Sequence, residues 1–353
     1  MCNIAGYVGS RDAVPILLDM IERQEGIAGG YYTGIATIHE GRLHWRKLVG
    51  DVARLRSKTD AAELPGIIGL AHSRSNSGGD DEWSHPFIAC RERLAYIANG
   101  SVGIFKGDPR LQQGAQRLAD AGHAFRTAHP AQIGAYPMLA DGNCVHMSDV
   151  MAHGIEAALD DMGDPEAAIR AAFLSMPSEI VGMFISLSYP LTISGARWNL
   201  PVCMTRDSMG TYLASSPEAF AAAPARWMWI PPDSVFSASA DRLCITPLHD
   251  VDDPIADDVD RSAAREAVLA ALAEGEAMSA GELMKLVDPL SSRDELVVRC
   301  DPVYEVLWRL LREGAIERRT ERVPGAREDR TAPRFRYALA GVSRSGACSA
   351  SPS

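Results

Sequence analysis

The chain has no uninterrupted apolar run near the ~18 residues that a helical membrane span requires, so no such span is expected. Its start lacks a basic segment followed by an apolar stretch, so it is not read as a secretory leader. Cysteine is sparse: Cys2, Cys90, Cys144, Cys203, Cys244, Cys300 and Cys348 are the seven. The number is odd, no two form a CxxC pair, and none stands in a Cys/His cluster with zinc spacing. Neither a disulfide framework nor a metal site is therefore expected, and no cofactor. An excess of positive charge is also missing. The 35 Lys and Arg face 46 Asp and Glu, for a net charge of -11. That balance argues against bulk attraction to nucleic acid or an anionic membrane and leaves room only for a local basic patch. The composition that remains, 46% hydrophobic and 23% charged, is that of a folded soluble protein. Its cysteines are expected to be reduced, in the cytoplasm. A length of 353 residues fits one large domain and one small one.

Short apolar runs separated by turn residues fill the first 250 positions. Ile4–Val8, Gly34–Ile38, Gly66–Ala71, Leu94–Ile97, Val181–Leu187, Pro201–Thr205, Thr211–Ala214 and Leu243–Ile245 read as strands. Ala13–Gln24 and Pro165–Ser175 read as helices, the second with Pro in its first turn. Many strands with interspersed helices predict stacked sheets with helices outside them. The acidic run Asp250–Asp260 reads as a linker, and the pattern then changes. Arg261–Ala273 is an amphipathic helix. Ser279-Ala-Gly-Glu282 has capping-box form and opens a second helix, and Asp301 to Arg312 makes a third. Two strand-like segments follow, Ala315–Val323 and Arg334–Leu339, joined by a polar loop. Three helices and a hairpin predict a winged helix for residues 261–341, and the Ser- and Gly-rich residues 342–353 read as a disordered tail.

Cys2 is the first candidate for chemistry. Removal of Met1 would leave it with a free α-amine, which titrates close to neutral pH, beside its own thiol. One residue would then supply nucleophile and general base. Read alone, Cys2 is equally a small residue after the start, and Asn99-Gly100 is equally a hairpin turn.

Four segments in register change that balance. Met-Cys-Asn-Ile-Ala-Gly-Tyr7 and Gly30-Tyr-Tyr-Thr-Gly-Ile-Ala36 are the first two. The third is Gly69-Leu-Ala-His-Ser-Arg74, continued by His85-Pro-Phe87 and Ala95-Tyr-Ile-Ala-Asn-Gly100, and the fourth is Thr211-Tyr-Leu-Ala-Ser-Ser-Pro-Glu218. Over roughly residues 1–248 the chain resembles the glutaminase domain of class II glutamine amidotransferases, the glucosamine-6-phosphate synthase branch above all. The resemblance implies an α+β fold, the four-layer αββα sandwich of N-terminal nucleophile hydrolases, over residues 1–249. It also implies roles. Cys2 attacks a glutamine side-chain amide and forms a thioester, Asn99 and Gly100 hold the oxyanion, and Arg74 grips the α-carboxylate. His72 and His85 are expected to be structural.

The same resemblance exposes departures. The family has Gly where Asn3 stands, and an arginine where Gly29 precedes Gly30-Tyr31. After its Arg it has Trp, then Thr and His before Gly; here the run is Arg74-Ser-Asn-Ser-Gly-Gly79. Its Thr-Asp-Thr-Glu segment, whose Asp binds the α-ammonium, is replaced by His129-Pro130-Ala131-Gln132, leaving Asp80, Asp81 or Glu82 as candidate substitutes. Nothing in these residues resembles the sugar-phosphate isomerase domains of the synthase, so released ammonia passes to a partner subunit or the reaction ends in hydrolysis. Two functional readings follow: a glutamine amidotransferase-like hydrolase, or a degenerate domain that senses a small molecule or docks a partner. The hairpin arginines Arg318, Arg319, Arg322, Arg327, Arg330, Arg334 and Arg336, interleaved with acids, leave DNA binding, protein contact and homo-oligomerisation all open.

Overall fold

Asn3–Gly9 (β1) is buried at all seven positions, the mark of a strand covered on both faces. The computed structural model describes residues 2–100, 105, 107–221, 226–250, 259–287 and 300–341. After β1 come α1 (Ala13–Ala28), β2 (Tyr32–His39), β3 (Arg42–Val49), α2 (Val52–Lys58), β4 (Ile68–Arg74), β5 (Phe87–Ile88) and β6 (Leu94–Asn99). Three helices follow: α3 (Pro109–Asp120), α4 (Met147–Met162) and α5 (Pro165–Ser175). The next strands are β7 (Val181–Ser186), β8 (Tyr189–Arg197), β9 (Cys203–Asp207), β10 (Gly210–Ala214), β11 (Trp227–Trp229), β12 (Ser234–Ala238) and β13 (Leu243–Pro247). The last elements are α6 (Arg261–Ala273), α7 (Ala280–Val287), α8 (Cys300–Arg312), β14 (Ile316–Pro324) and β15 (Thr331–Leu339).

Two antiparallel sheets face each other. The seven-stranded one runs β11-β9-β10-β1-β4-β2-β3 and the six-stranded one β13-β12-β8-β7-β6-β5. Side chains on a strand alternate between faces, and β1 obeys this. Ile4 and Val8 point inward with Leu70, Ile97, Met183, Ile185 and Phe236. Ala5 and Tyr7 point outward to Leu17 and Ile21 of α1. On the far side, Tyr96 and Phe184 carry α4 and α5 through Met151, Ile155, Ile169 and Phe173. The layers are therefore helix, sheet, sheet, helix.

Elements absent from the sequence reading have physical reasons. Strand β3, Arg-Leu-His-Trp-Arg-Lys-Leu-Val49, lies at a sheet edge with polar side chains on its half-buried stretch, so its alternation is blurred. Helix α4 is buried around most of its circumference, which erases the 3.6-residue period.

Helices α6 to α8 and the β14–β15 hairpin build a further core from Val268, Leu272, Leu283, Val303, Leu307 and Tyr337, joined by Ile27 of α1. The capping box at Ser279 is present: its N–H donates to Glu282 Oε2 (2.7 Å) and the Glu282 N–H donates back to Ser279 Oγ (3.3 Å). The hairpin lies on α1 and on the turn after it. A Cβ at Gly30, whose φ is +90°, would stand 2.5 Å from the Pro333 ring, so that turn needs glycine. Three hairpin arginines bond to the first 250 residues. Arg318 meets Glu218 (2.7 Å), Arg322 meets Asp51 (2.7 Å), and Arg330 donates to the Val49 carbonyl (2.6 Å). Arg336 pairs with Glu321 and Glu282, and Arg319 with Glu317. Of the expected linker, residues 251–258 lie outside the described residues, as does the expected tail, 342–353.

Candidate active site

The first and third of the four sequence segments meet at one cavity because β1, β4 and β6 end near one another. Strand β1 pairs with β4 in the first sheet, and β6 crosses from the second. Cys2 precedes β1, Arg74 closes β4, and Asn99 closes β6. All three line one cavity of about 500 Å³, together with Gly100. Cys2 is half-buried and Gly100 is exposed.

Asn99 holds the backbone of Cys2 from both sides. The Cys2 N–H donates to Asn99 Oδ1 (3.0 Å), and Asn99 Nδ2 donates to the Cys2 carbonyl (3.1 Å). An amide NH₂ has two hydrogens, so one remains for a ligand. The Cys2 sulfur lies 3.8 Å from the Ser75 hydroxyl.

Arg74 is 2% exposed. Its Nη1 donates to the carbonyls of Gly78 (3.0 Å) and Trp83 (2.9 Å), and its guanidinium sits over the Tyr32 ring at 4.5 Å. Its Nη2 has no partner among the described residues. A buried cationic donor without an acceptor is costly, and Arg74 is one of the residues lining the cavity.

His72 and His85 are buried and stacked, with ring centroids 3.8 Å apart. His72 Nε2 lies 2.8 Å from the Ala98 carbonyl, and the Ala98 N–H donates to His85 Nδ1 (3.2 Å). They clamp the residue before Asn99. Burial drives His72 down to about 3 and holds His85 well below the ordinary histidine value, so both are neutral.

Asp80, Asp81 and Glu82 do not line this cavity. Asp80 caps the short turn at Glu82, Asp81 accepts from the Val49 N–H (2.7 Å), and Glu82 pairs with Lys47 (2.9 Å). They are not the missing carboxylate. Among the described residues, the carboxylate that does line it is Glu179, which no motif announced. Its Oε1 accepts from the Ser148 hydroxyl (2.8 Å). A Cβ on Gly100 would stand 1.8 Å from its Oε2, so glycine permits that approach. Burial, with the nearby Cys2 adding to it, pushes Glu179 up to about 8. Tyr136 and His146 also line the wall, joined at 3.0 Å. The segment His129–Gln132 stays outside the cavity lining, although Gln132 bonds the carbonyls of Gly134 and Tyr136, which form part of it. Glu179 was missed because it stands alone, just ahead of a strand. Only the tertiary fold gives it meaning.

A cysteine at position 2, an Asn-Gly pair and a buried arginine thus line one cavity beside two helix-covered sheets. The chain is similar in sequence to glutamine amidotransferases and shares its fold with a solved one. It is 28% identical over 224 residues to the glutamine–fructose-6-phosphate aminotransferase of Pyrococcus horikoshii, covering 63% of this chain and 33% of that protein. To the enzyme of the same name from Brucella abortus it is 36% identical over 107 residues, 30% of this chain and 17% of that one. The match thus spans a third or less of these relatives. The glutamine phosphoribosylpyrophosphate amidotransferase of B. subtilis, solved with ADP and GMP, shares the fold. Its TM-score is 0.57 at 16% identity, over 78% of this chain and 59% of that one. No protein-family model matches the sequence.

Proposed function

We propose that the protein cleaves the side-chain amide of glutamine, or of a related γ-glutamyl compound, through a thioester on Cys2. The observation that carries this reading is the two-sided hold of Asn99 on the Cys2 backbone at the edge of a cavity. Loss of Met1 turns the N–H held by Asn99 Oδ1 into a free amine. That amine takes the thiol proton, and the sulfur bonds to the amide carbon while the carbonyl electron pair moves onto oxygen. The second hydrogen of Asn99 Nδ2 and the Gly100 N–H receive the oxyanion. Collapse breaks the C–N bond, and the terminal ammonium returns its proton to the departing ammonia. Water then attacks the thioester, restoring the thiol and leaving a γ-carboxylate. Arg74 Nη2 takes the α-carboxylate and Glu179 the α-ammonium. The ammonia goes to water or to a partner subunit. The relatives are named for glutamine and fructose 6-phosphate, and the matched third supports the amide-donor half of that reaction.

Intact mass after incubation with diazo-oxo-norleucine tests the proposal. One adduct on a chain lacking Met1, absent in Cys2→Ala, supports it. A retained Met1, or no adduct on folded protein, removes it. A second reading, a ligand sensor without turnover, draws on the altered Arg74–Gly79 loop and the replaced acidic segment. It predicts thermal stabilisation by glutamine with no ammonia released.

For residues 261–341 the reading we favour is a winged-helix-like unit docked on the amidotransferase domain of residues 1–249. The engagement of Arg318, Arg322 and Arg330 with that domain supports docking over phosphate tracking. A gel shift at low salt with the full chain would reverse that preference.

A further inference from the structure

We propose that Cys90, His123 and His153 form a zinc site separate from the Cys2 cavity. The three come from distant parts of the chain: the turn after β5, the end of α3 and the middle of α4. Folding brings His123 Nδ1 to 3.1 Å from His153 Nδ1 and Cys90 Sγ to 3.6 Å from His123 Nδ1. One donor atom from each lies within 4.8 Å of the other two. Zinc bonds of about 2.0–2.1 Å to nitrogen and about 2.3 Å to sulfur place tetrahedral ligands ~3.3 Å apart for N and N, and ~3.6 Å apart for N and S. Two edges of this triangle are already near those lengths. The third closes by rotation of Cys90, whose side chain is exposed.

The surroundings fit a ligand set as well. His153 and Asp149 are fully buried, with His153 Nε2 3.5 Å from Asp149 Oδ1, and neither atom has a hydrogen-bond partner among the described residues. The other oxygen, Oδ2, accepts from the Thr127 N–H (3.0 Å) and hydroxyl (2.9 Å), which fixes the carboxylate. A histidine whose outer N–H faces a fixed carboxylate presents its other nitrogen as a lone pair, the arrangement that orients metal-bound imidazoles. Arg91, beside Cys90, is paired with Asp160 (2.6 Å).

Without metal, His123 Nδ1–H donates to His153 Nδ1. On binding, the His123 proton moves to Nε2, the Cys90 thiol releases its proton to solvent, and both Nδ1 lone pairs and the thiolate bond to Zn²⁺. Water completes the tetrahedron on the exposed side. A one-thiolate, two-imidazole set suits zinc by softness. The clip would tie α4 to α3 and to the β5–β6 turn. Helix α4 begins at His146 and Ser148, which line the Cys2 cavity, so the metal would brace one wall of that cavity from behind.

The test uses the full chain, stripped with a chelator and titrated with Co²⁺ as a spectroscopic probe. One equivalent should produce thiolate-to-cobalt charge transfer and tetrahedral d–d bands, both erased by Zn²⁺. Cys90→Ser should lose the charge transfer, while Cys2→Ala should keep it. Asp149→Asn, which retains an oxygen acceptor for Thr127, should weaken zinc by about 10- to 100-fold. Charge transfer that survives in Cys90→Ser, disappears in Cys2→Ala, or is missing from the unmodified chain overturns the site.

Discussion

Arg74, which is buried, and Arg318, which is partly exposed, make the same kinds of contact and are used in opposite ways. Each lies over an aromatic ring, Tyr32 at 4.5 Å and Phe335 at 4.1 Å. Each donates to backbone carbonyls: Arg74 to Gly78 and Trp83, Arg318 to Arg23 (2.9 Å). Arg318 also meets a carboxylate, and Tyr337 donates to the other oxygen of the same Glu218 (2.9 Å), so that group is satisfied on both sides. Arg74 has none within reach among the described residues, and its Nη2 stays unpartnered. The closed set holds two parts of the chain together. Under the proposed function the open one receives the substrate carboxylate, because hydrogen bonds between charged groups are the strong ones.

That contrast can be broken or sharpened experimentally. The largest effect should come from Asn99→Ala, which removes the hold on Cys2 and one oxyanion donor. The expected loss in kcat is about 10²–10³-fold, about 2.7–4 kcal/mol, measured as ammonia release. Arg74→Lys keeps the charge but not the fork, and should raise KM for glutamine by a hydrogen bond to a charged group, about 1.5–3 kcal/mol. An unchanged KM would mean that the orphan nitrogen is not where the substrate binds. Glu218→Ala leaves Arg318 and Tyr337 without their acceptor. It should lower stability in chemical denaturation by about 1–3 kcal/mol with KM unaltered.

The smallest effect is one of pH. Glu179 and Glu25 are both raised by burial from an ordinary 4.5 to about 8. Between those values the folded chain holds protons that the unfolded chain has released, so stability falls as pH rises from about 4.5 to about 8. Glu179→Gln should make that decline shallower and leave the share due to Glu25. The same substitution should remove the improvement in KM that ionising Glu179 brings as pH rises toward 8. A pH profile of KM identical in the two proteins would take Glu179 out of ammonium binding.

Much of the architecture is legible in the order of residues. The strands around Cys2, Arg74 and Asn99 are short, apolar and bounded by turns, and α5 has Pro at its first turn. Helix α4 was not legible, because a helix covered on nearly every side shows no stripe. Nor was the acidic residue of the cavity. Three acids close in sequence, Asp80 to Glu82, proved to be tied to Val49, Lys47 and their own turn. The carboxylate in the cavity is Glu179, about a hundred positions further on.

From the order of residues alone came the repeating patterns that choose helix or strand, the net charge, and the local motifs that place a thiol, an amide and a guanidinium at the ends of strands. Only the folded chain decided which distant groups meet. Glu179 reached Gly100, the hairpin arginines reached Glu218 and Asp51, and Cys90 reached His123 and His153. The reason is that periodicity is a short-range property, whereas pairing of sheets and helices sets contacts between residues tens to hundreds of positions apart.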